Sequence, residues 1–349
     1  MADLARVKAD KQAIEKRLRD EIDYCRESCR EESDPLDLWT SRMPESFKKL
    51  LHDDGRLNMD AIEAFRGQKM FVSELPNSPS LWPLNWLKGR LRGERRYCRE
   101  RLEMMRQTGD INYLSKYPLE RAGQPNFVTM GGHRFNERWT RHVRYVRLCR
   151  EHLDDYLGRA QPAVLDIGGS YCLFGGLLKR EYPAVRVGVV EFPEQLILSY
   201  YYLATIFPEA RINTLKEANQ AKVIDQAFVS RYDFLLIPAH CYAKIAPGVF
   251  GLITNFNSLG EMSEKWFRFY VDSPVFRGAP YLFTLNRFHA RPTYPTDINI
   301  LDYPLHEFNR RHFVISPLFL AYYEPWAKFF YKQVYFSSQF FEFIGRRKS

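Results

Sequence analysis

A doubly wound α/β sheet of seven strands, preceded by an N-terminal helical extension, is the fold this 349-residue sequence predicts. Three observations carry the prediction. From Ala163 onward, five short apolar runs alternate with helical stretches: "AVLDIG", "VRVGVVEF", "YDFLLIPA", "FGLITNF" and "PYLFTLN". Such runs fit strands covered on both faces, and their alternation with helices builds a parallel sheet. Towards the C-terminus, "FVISPLFLAYYEP" and "WAKFFYKQVYF" add two strand-like runs without a clear helix between them, so an antiparallel hairpin is expected to close one sheet edge. Finally, the first run ends in Asp166 and passes directly into Gly168 and Gly169, as a buried strand does on entering a ligand-binding loop.

The extension comes first in the chain. Leu4, Val7, Ile14, Leu18, Ile22 and Cys25 recur at three and four, which predicts a helix over the first thirty residues. The stripe is short for a coiled coil, so packing on its own domain is favoured, with a homodimer seam through the N-terminal helices as the alternative. Asp34 and Pro35 read as a further helix start, and "ELPNSPSLWPLN" at 74–85 as a loop or hinge. "KGRLRGERRYCRERLEMMRQ" at 88–107 holds eight basic residues against three acidic ones, giving a helix with a solvated or a phosphate-facing side. After a loop containing Gly131, Gly132 and His133, the arginines at 138, 141, 144, 147 and 150 step by three. At about 100° per residue they spiral around a helix instead of forming one ridge, which argues against a DNA-facing surface. The division expected is 1–125, a helical lid or dimerisation element, and 126–349, the sheet domain.

Composition narrows the class. A hydrophobic fraction of 45% and an aromatic fraction of 15% belong to a packed protein, not a disordered one. The net charge of +9 favours anionic partners without choosing among them. No apolar run approaches the roughly 20 residues that cross a bilayer. The first residues lack a secretory core, so a cytoplasmic location is expected. Six cysteines with no CxxC pair and no histidine at zinc spacing indicate neither a disulfide framework nor a structural metal.

At the loop, Gly168 and Gly169 allow a tight turn and close approach of a ligand, while Glu191, closing the second strand, can accept hydrogen bonds from both hydroxyls of a ribose. A dinucleotide site wants G-x-G-x-x-G. Gly168, Ser170 and Leu173 match it once in three, which disfavours a nicotinamide enzyme.

"VLDIGGSYCLFGGLLKREYP", "VVEFPEQLILSYYYLATIFP", "LITNFNSLGEMSEKWFRFY" and "YLFTLNRF", in that order, resemble the sugar O-methyltransferases of bacterial polysaccharide and secondary-metabolite gene sets, over roughly residues 120–305. The resemblance implies a class I S-adenosylmethionine-dependent methyltransferase with a Rossmann-like seven-stranded sheet. Its cofactor would be S-adenosylmethionine and its acceptor a sugar hydroxyl of a nucleotide-linked, lipid-linked or secondary-metabolite glycoside. Asp166, Gly168, Gly169 and Ser170 would line the methionine part, Glu191 and Phe192 would hold ribose and adenine, His240 would lie at the adenine edge, and Asn255 would stand where methyl group and acceptor meet. The family usually has Glu at Asp166 and glycine at Ser170 and Cys172; serine is small enough to serve there if its φ is negative.

For the acceptor, Asn257, Asn286, Arg287 and His133 are the candidates, with Arg134, Arg138, Arg287 and Arg291 suited to a diphosphate. A hydroxyl needs a base nearby. His289 leads because a neutral imidazole takes a proton near physiological pH, with Glu261 beside it and His306, Asp302 and His133 as rivals. Ser258 and Glu261 also have the spacing of a capping box. No clustered carboxylates suggest a catalytic metal. Two alternatives stand beside this reading: a non-catalytic subunit that scaffolds a partner enzyme, and an RNA methyltransferase. The second is disfavoured because "NFNSLGEM" lacks the Asn/Asp-Pro-Pro-aromatic loop typical of such enzymes.

Overall fold

The computed structural model describes residues 2–28, 48–67, 91–290, 296–317 and 339–348. The expected helix start at Asp34, the proline-rich loop at 74–85, Arg291 and the run "WAKFFYKQVYF" lie outside the described residues.

Helix α1 (Ala2–Ser28) carries the predicted stripe, and Leu18, Ile22 and Cys25 are buried. They are buried against their own chain. Arg17 donates to the Asn213 carbonyl at 2.5 Å and lies 4.3 Å over the Tyr200 ring, while Glu21 accepts from the Leu215 amide at 3.0 Å. Packing on their own domain is thus what Leu18, Ile22 and Cys25 show. A short helix at Met59–Glu63, capped by the Asn58 side chain, leads into a turn at Phe65–Gly67.

Helices α2 (Leu91–Gln107) and α3 (Asp110–Lys116) follow. The expected loop at Gly131–His133 is instead the tip of a hairpin, β1 (Val128–Met130) with β2 (His133–Phe135). Gly131 and Gly132 both have positive φ, 57° and 81°, as a two-residue hairpin turn demands.

Helix α4 (Glu137–His152) starts where the Asn136 side chain accepts from the Trp139 amide at 2.9 Å. Its arginines do spiral. Arg144 is buried and bridges Asp110 and Glu342, Arg147 meets Asp110 and Glu151, Arg150 pairs with Asp154, and Arg138 lies 5.3 Å over the Tyr171 ring.

The sheet domain runs β3 (Ala163–Ile167), α5 (Leu173–Glu181), β4 (Arg186–Glu191), α6 (Pro193–Ile206), β5 (Phe234–Pro238), β6 (Leu252–Phe256), α7 (Glu264–Val271), β7 (Tyr281–Arg287), β8 (Phe308–Ile315) and β9 (Phe340–Arg347). All five apolar runs form strands, and the seven-stranded order is β5-β4-β3-β6-β7-β9-β8. Strands β3 to β7 are parallel, and β9 pairs antiparallel with both β7 and β8. The sheet is the doubly wound, Rossmann-like one the sequence predicts. An antiparallel pair closes the sheet edge too, formed by 308–315 with 340–347.

Because side chains alternate across a strand, each strand feeds two cores. Leu165 and Ile167 pack with Leu235, Ile237, Phe267 and Val271 on one face. Val164, Val187 and Val189 pack on the other with Trp139, Val143, Phe174 and Leu178. That second core continues without a break into Phe65, Ile62 and Leu18, so it crosses residue 125.

Candidate active site at the carboxyl edge of the sheet

Strand β3 connects forward to β4 on one side and is flanked by β6 on the other, so the order reverses between β3 and β6. Ligands of open α/β sheets bind in the crevice this reversal opens, beyond the carboxyl ends of the strands. Here that crevice is bordered by the 168–172 loop, the tip of β4 and the 255–258 turn.

The loop's shape follows from its neighbours. Gly168 has φ 70° and donates from its amide to the Val190 carbonyl at 2.9 Å; a side chain here would strike Ser258. Gly169 is needed for space, since a Cβ would lie 2.5 Å from Asp166 Oδ2. Ser170 does not meet the condition of a negative φ under which serine would serve in this loop. Ser170 and Cys172 stand at φ 51° and 61°, so both adopt the left-handed backbone that glycine would adopt there. Each costs about 1 kcal/mol of strain. Packing holds them in place: the Cys172 thiol is buried where Gly175 leaves room for it, and Ser199 donates to the Ser170 carbonyl at 2.9 Å.

Two carboxylates face this loop. Asp166 is 1% exposed, accepts from Thr254 Oγ1 at 2.7 Å through one oxygen, and has no partner for the other among the described residues. Burial pushes it up to about 7 against the Thr254 hydrogen bond, with the Glu191 charge adding to the rise. Glu191 accepts from the Ser170 amide at 3.3 Å and the Phe192 amide at 2.8 Å. Burial pushes Glu191 up to about 7 as well; these two amides and the Arg138 charge oppose that rise, and the Glu194 charge reinforces it. Glu194 is itself raised by burial, and its Oε2 is buried without a partner among the described residues. Three buried carboxyl groups thus gather at this loop and the tip of β4, and burial opposes the ionisation of each.

The 255–258 turn is stitched to the loop. Asn255 donates to the Ile167 carbonyl at 2.7 Å and accepts from Asn286 Nδ2 at 2.8 Å; Asn286 also donates to Thr284 Oγ1 at 2.7 Å and accepts from the Gly260 amide at 3.3 Å. Both asparagines are buried, so they frame the crevice from behind. Ser258 does not form the expected capping box with Glu261. Its hydroxyl reaches the Ile167 carbonyl at 3.2 Å and contacts Asn255 instead, because the turn packs against Gly168. Asn257 has φ 65° and a buried Oδ1 without a partner among the described residues. Arg287, at the end of β7, stacks 4.2 Å over Phe340, with its Nη2 3.9 Å from Glu261 Oε1.

The remaining sequence candidates are scattered. His240 follows β5, is exposed and contacts Asn219 at 3.2 Å. His289 is exposed two residues beyond β7, with Nδ1 2.9 Å from the Ala290 carbonyl. His306 is exposed, Asp302 caps its own turn by accepting from the Asn299 amide at 2.8 Å, and His133 sits in the β1–β2 hairpin. Among the described residues no group of His, Cys, Asp and Glu could hold a metal ion, and no helix is long and apolar enough to cross a membrane.

Sequence reasoning missed two features. Tyr171, at the loop's apex, is fully buried in a cluster made by Phe65 (5.0 Å, edge-on), Arg66 (5.4 Å) and Tyr202 (5.2 Å), so the N-terminal extension clamps the loop. Arg66 is in turn held by the Glu120 and Ala122 carbonyls at 3.4 and 3.1 Å. No local pattern flags contacts so distant in sequence. His142, one turn beyond Arg138 on α4, is buried beside Tyr145 and Phe256; its place inside an arginine-rich helix gave no signal of its own.

No family model matches the sequence, and no curated protein does. Solved structures do align with it. One is the magnesium protoporphyrin IX methyltransferase of Synechocystis with bound S-adenosylhomocysteine: 8% identity, 60% of this chain and 84% of that one, TM-score 0.39. Another is the O-methyltransferase family 2 protein of Planctomyces limnophilus in complex with apigenin: 11% identity, 59% and 56% coverage, TM-score 0.37. A third is phosphoethanolamine N-methyltransferase 2 of Haemonchus contortus in complex with S-adenosylmethionine: 11% identity, 72% and 60% coverage, TM-score 0.36. Likeness at this level leaves the fold resting on the strand order itself and says nothing of what this chain binds.

Proposed function

We propose that this protein is an S-adenosylmethionine-dependent O-methyltransferase whose acceptor is a sugar hydroxyl. The observation that carries the reading is Glu191 at the tip of β4, facing a glycine-initiated loop at the sheet's switch point. The donor set fits the cofactor. Glu191 has lone pairs left for two ribose hydroxyls, Gly168 lets backbone approach a ligand, and the buried carboxyl groups of Asp166, Glu191 and Glu194 would ionise more readily beside a ligand bearing an ammonium and a sulfonium.

When bound, the cofactor supplies an electrophilic methyl group on sulfur. The residues of this chain supply alignment, which is most of what an in-line displacement needs. Asn255 and Asn286 hold the β6 and β7 tips rigid, and Arg287 with Glu261 offers a donor and an acceptor to a polyhydroxylated ring or its phosphate. The choice of a sugar rests on the sequence resemblance. Residues 1–125 act as a cover over the loop and 126–349 as the catalytic unit.

Calorimetric titration with S-adenosylmethionine and S-adenosylhomocysteine, repeated on Glu191→Ala, tests the reading. Micromolar binding that the substitution abolishes supports it; no heat at millimolar ligand from folded protein overturns it.

A further inference from the structure

The methyl acceptor must lose a proton; His289 is exposed, with Nδ1 2.9 Å from the Ala290 carbonyl. A second histidine borders the same region. His142 lies on α4, one turn after Arg138, which stacks on Tyr171 of the loop and bears on the charge of Glu191. On its other side the His142 ring stands 6.3 Å from Phe256, the last residue of β6, and 5.2 Å from Tyr145. Arg138 and His142 therefore extend along one helix from the β4 tip and the loop to the β6 tip, the two borders of the crevice.

The ring's tautomer is fixed by its partner. Nδ1 lies 2.7 Å from the Arg138 carbonyl. A carbonyl can only accept, so Nδ1 carries the hydrogen, and in the neutral ring Nε2 keeps its lone pair. Nε2 has no hydrogen-bond partner among the described residues, although the residue is only 9% exposed. Burial holds the imidazole well below its usual range, and the charges of Arg138, Arg141 and Arg66 act in the same direction, so the lone pair is present throughout the physiological range.

Resting on the methyltransferase reading above, we infer that His142 Nε2 is the group that receives the acceptor's proton. As an oxygen lone pair bonds to the methyl carbon, the carbon–sulfur bond breaks and its electron pair stays on sulfur. The hydroxyl proton passes to the Nε2 lone pair, and the imidazolium later releases it to water. A weak base suffices, because a hydroxyl oxygen that is becoming an oxonium is a strong acid.

Sinefungin tests this, because it places an amine-bearing carbon where the cofactor has its methylated sulfur. On the full chain, His142→Phe should leave S-adenosylhomocysteine affinity within about twofold and weaken sinefungin about tenfold, the worth of one charge-assisted hydrogen bond. In the wild-type protein, the nitrogen resonance of an unprotonated His142 Nε2 should shift with sinefungin and not with S-adenosylhomocysteine. That measurement decides the matter should the variant not fold. An Nε2 signal unmoved by sinefungin, or equal losses for both ligands, overturns the role of His142 and leaves the cofactor reading standing. Folded wild-type protein that binds neither ligand overturns both.

Discussion

The hydroxyl of Ser258 occupies the space that a side chain at Gly168 would need, so the loop after β3 and the turn after β6 can meet only if residue 168 has no Cβ. Gly168→Ala adds this clash to a φ of 70°. The expected loss is about 2–4 kcal/mol of stability. Urea unfolding measures it, and combining the change with Ser258→Gly should recover part of the loss, giving a non-additive double-mutant cycle.

Asp166 and Glu191 are both pushed up to about 7, from ordinary carboxyl values. The folded protein therefore holds protons that the unfolded chain has released. Stability from these groups is greatest below the unfolded values near 4 and is lost as pH rises through about 7. A ligand that needs ionised Glu191 should bind more tightly at pH 8 than at pH 6 and release protons on binding at the lower pH. Titrations in buffers of different ionisation heat count those protons, and Glu191→Gln should flatten the dependence.

Arg66 lies over the rings of Trp139, Tyr171 and Tyr202 at 5.7, 5.4 and 6.0 Å. Arg66→Met keeps much of the bulk but strands the Glu120 and Ala122 carbonyls it serves. A loss of about 2–4 kcal/mol is expected. If the extension stabilises the loop, S-adenosylhomocysteine affinity should fall with it; a stability loss with unchanged affinity would confine Arg66 to a structural role.

Glu342 is fully buried and accepts from Arg144 at 3.0 and 2.8 Å, from Ser316 at 2.6 Å and from His312 at 3.2 Å. Burial alone would raise it, but the hydrogen bonds from His312, Arg144 and Ser316 win and hold it at about 2. Its contribution is complete above the ordinary glutamate value and disappears as pH falls through about 2. Glu342→Gln leaves part of the Arg144 charge unbalanced and should cost about 3–5 kcal/mol in denaturant unfolding at pH 7.

The sheet was legible because apolar runs such as "VRVGVVEF" report burial on both faces by composition alone. The C-terminal hairpin was half legible: the run "FVISPLFLAYYEP" overlaps β8 only at Phe313–Ile315, whereas β9 at Phe340–Arg347 carries Glu342 and Gly345 and two arginines, and reads as a surface tail until Arg144 is known to cover the acid. Asp166, Gly168 and Glu191 could be read because strand ends and loops are local features. The Ser258–Glu261 spacing misled for the opposite reason, since a hydroxyl with a tertiary partner at Ile167 is not free to cap. Contacts such as Phe65 with Tyr171 leave no periodic trace at all.

The order β7-β9-β8 bears on how the molecule is made. A ribosome releases Phe308–Ile315 before Phe340–Arg347, yet among the described strands β8 pairs with the sheet through β9 alone. Until residues 340–347 have emerged, the nascent chain carries an open β7 edge and a strand with nothing to pair with. Cutting the protein short before Phe340 would therefore remove two strands from the sheet and leave β7 exposed as a site for aggregation.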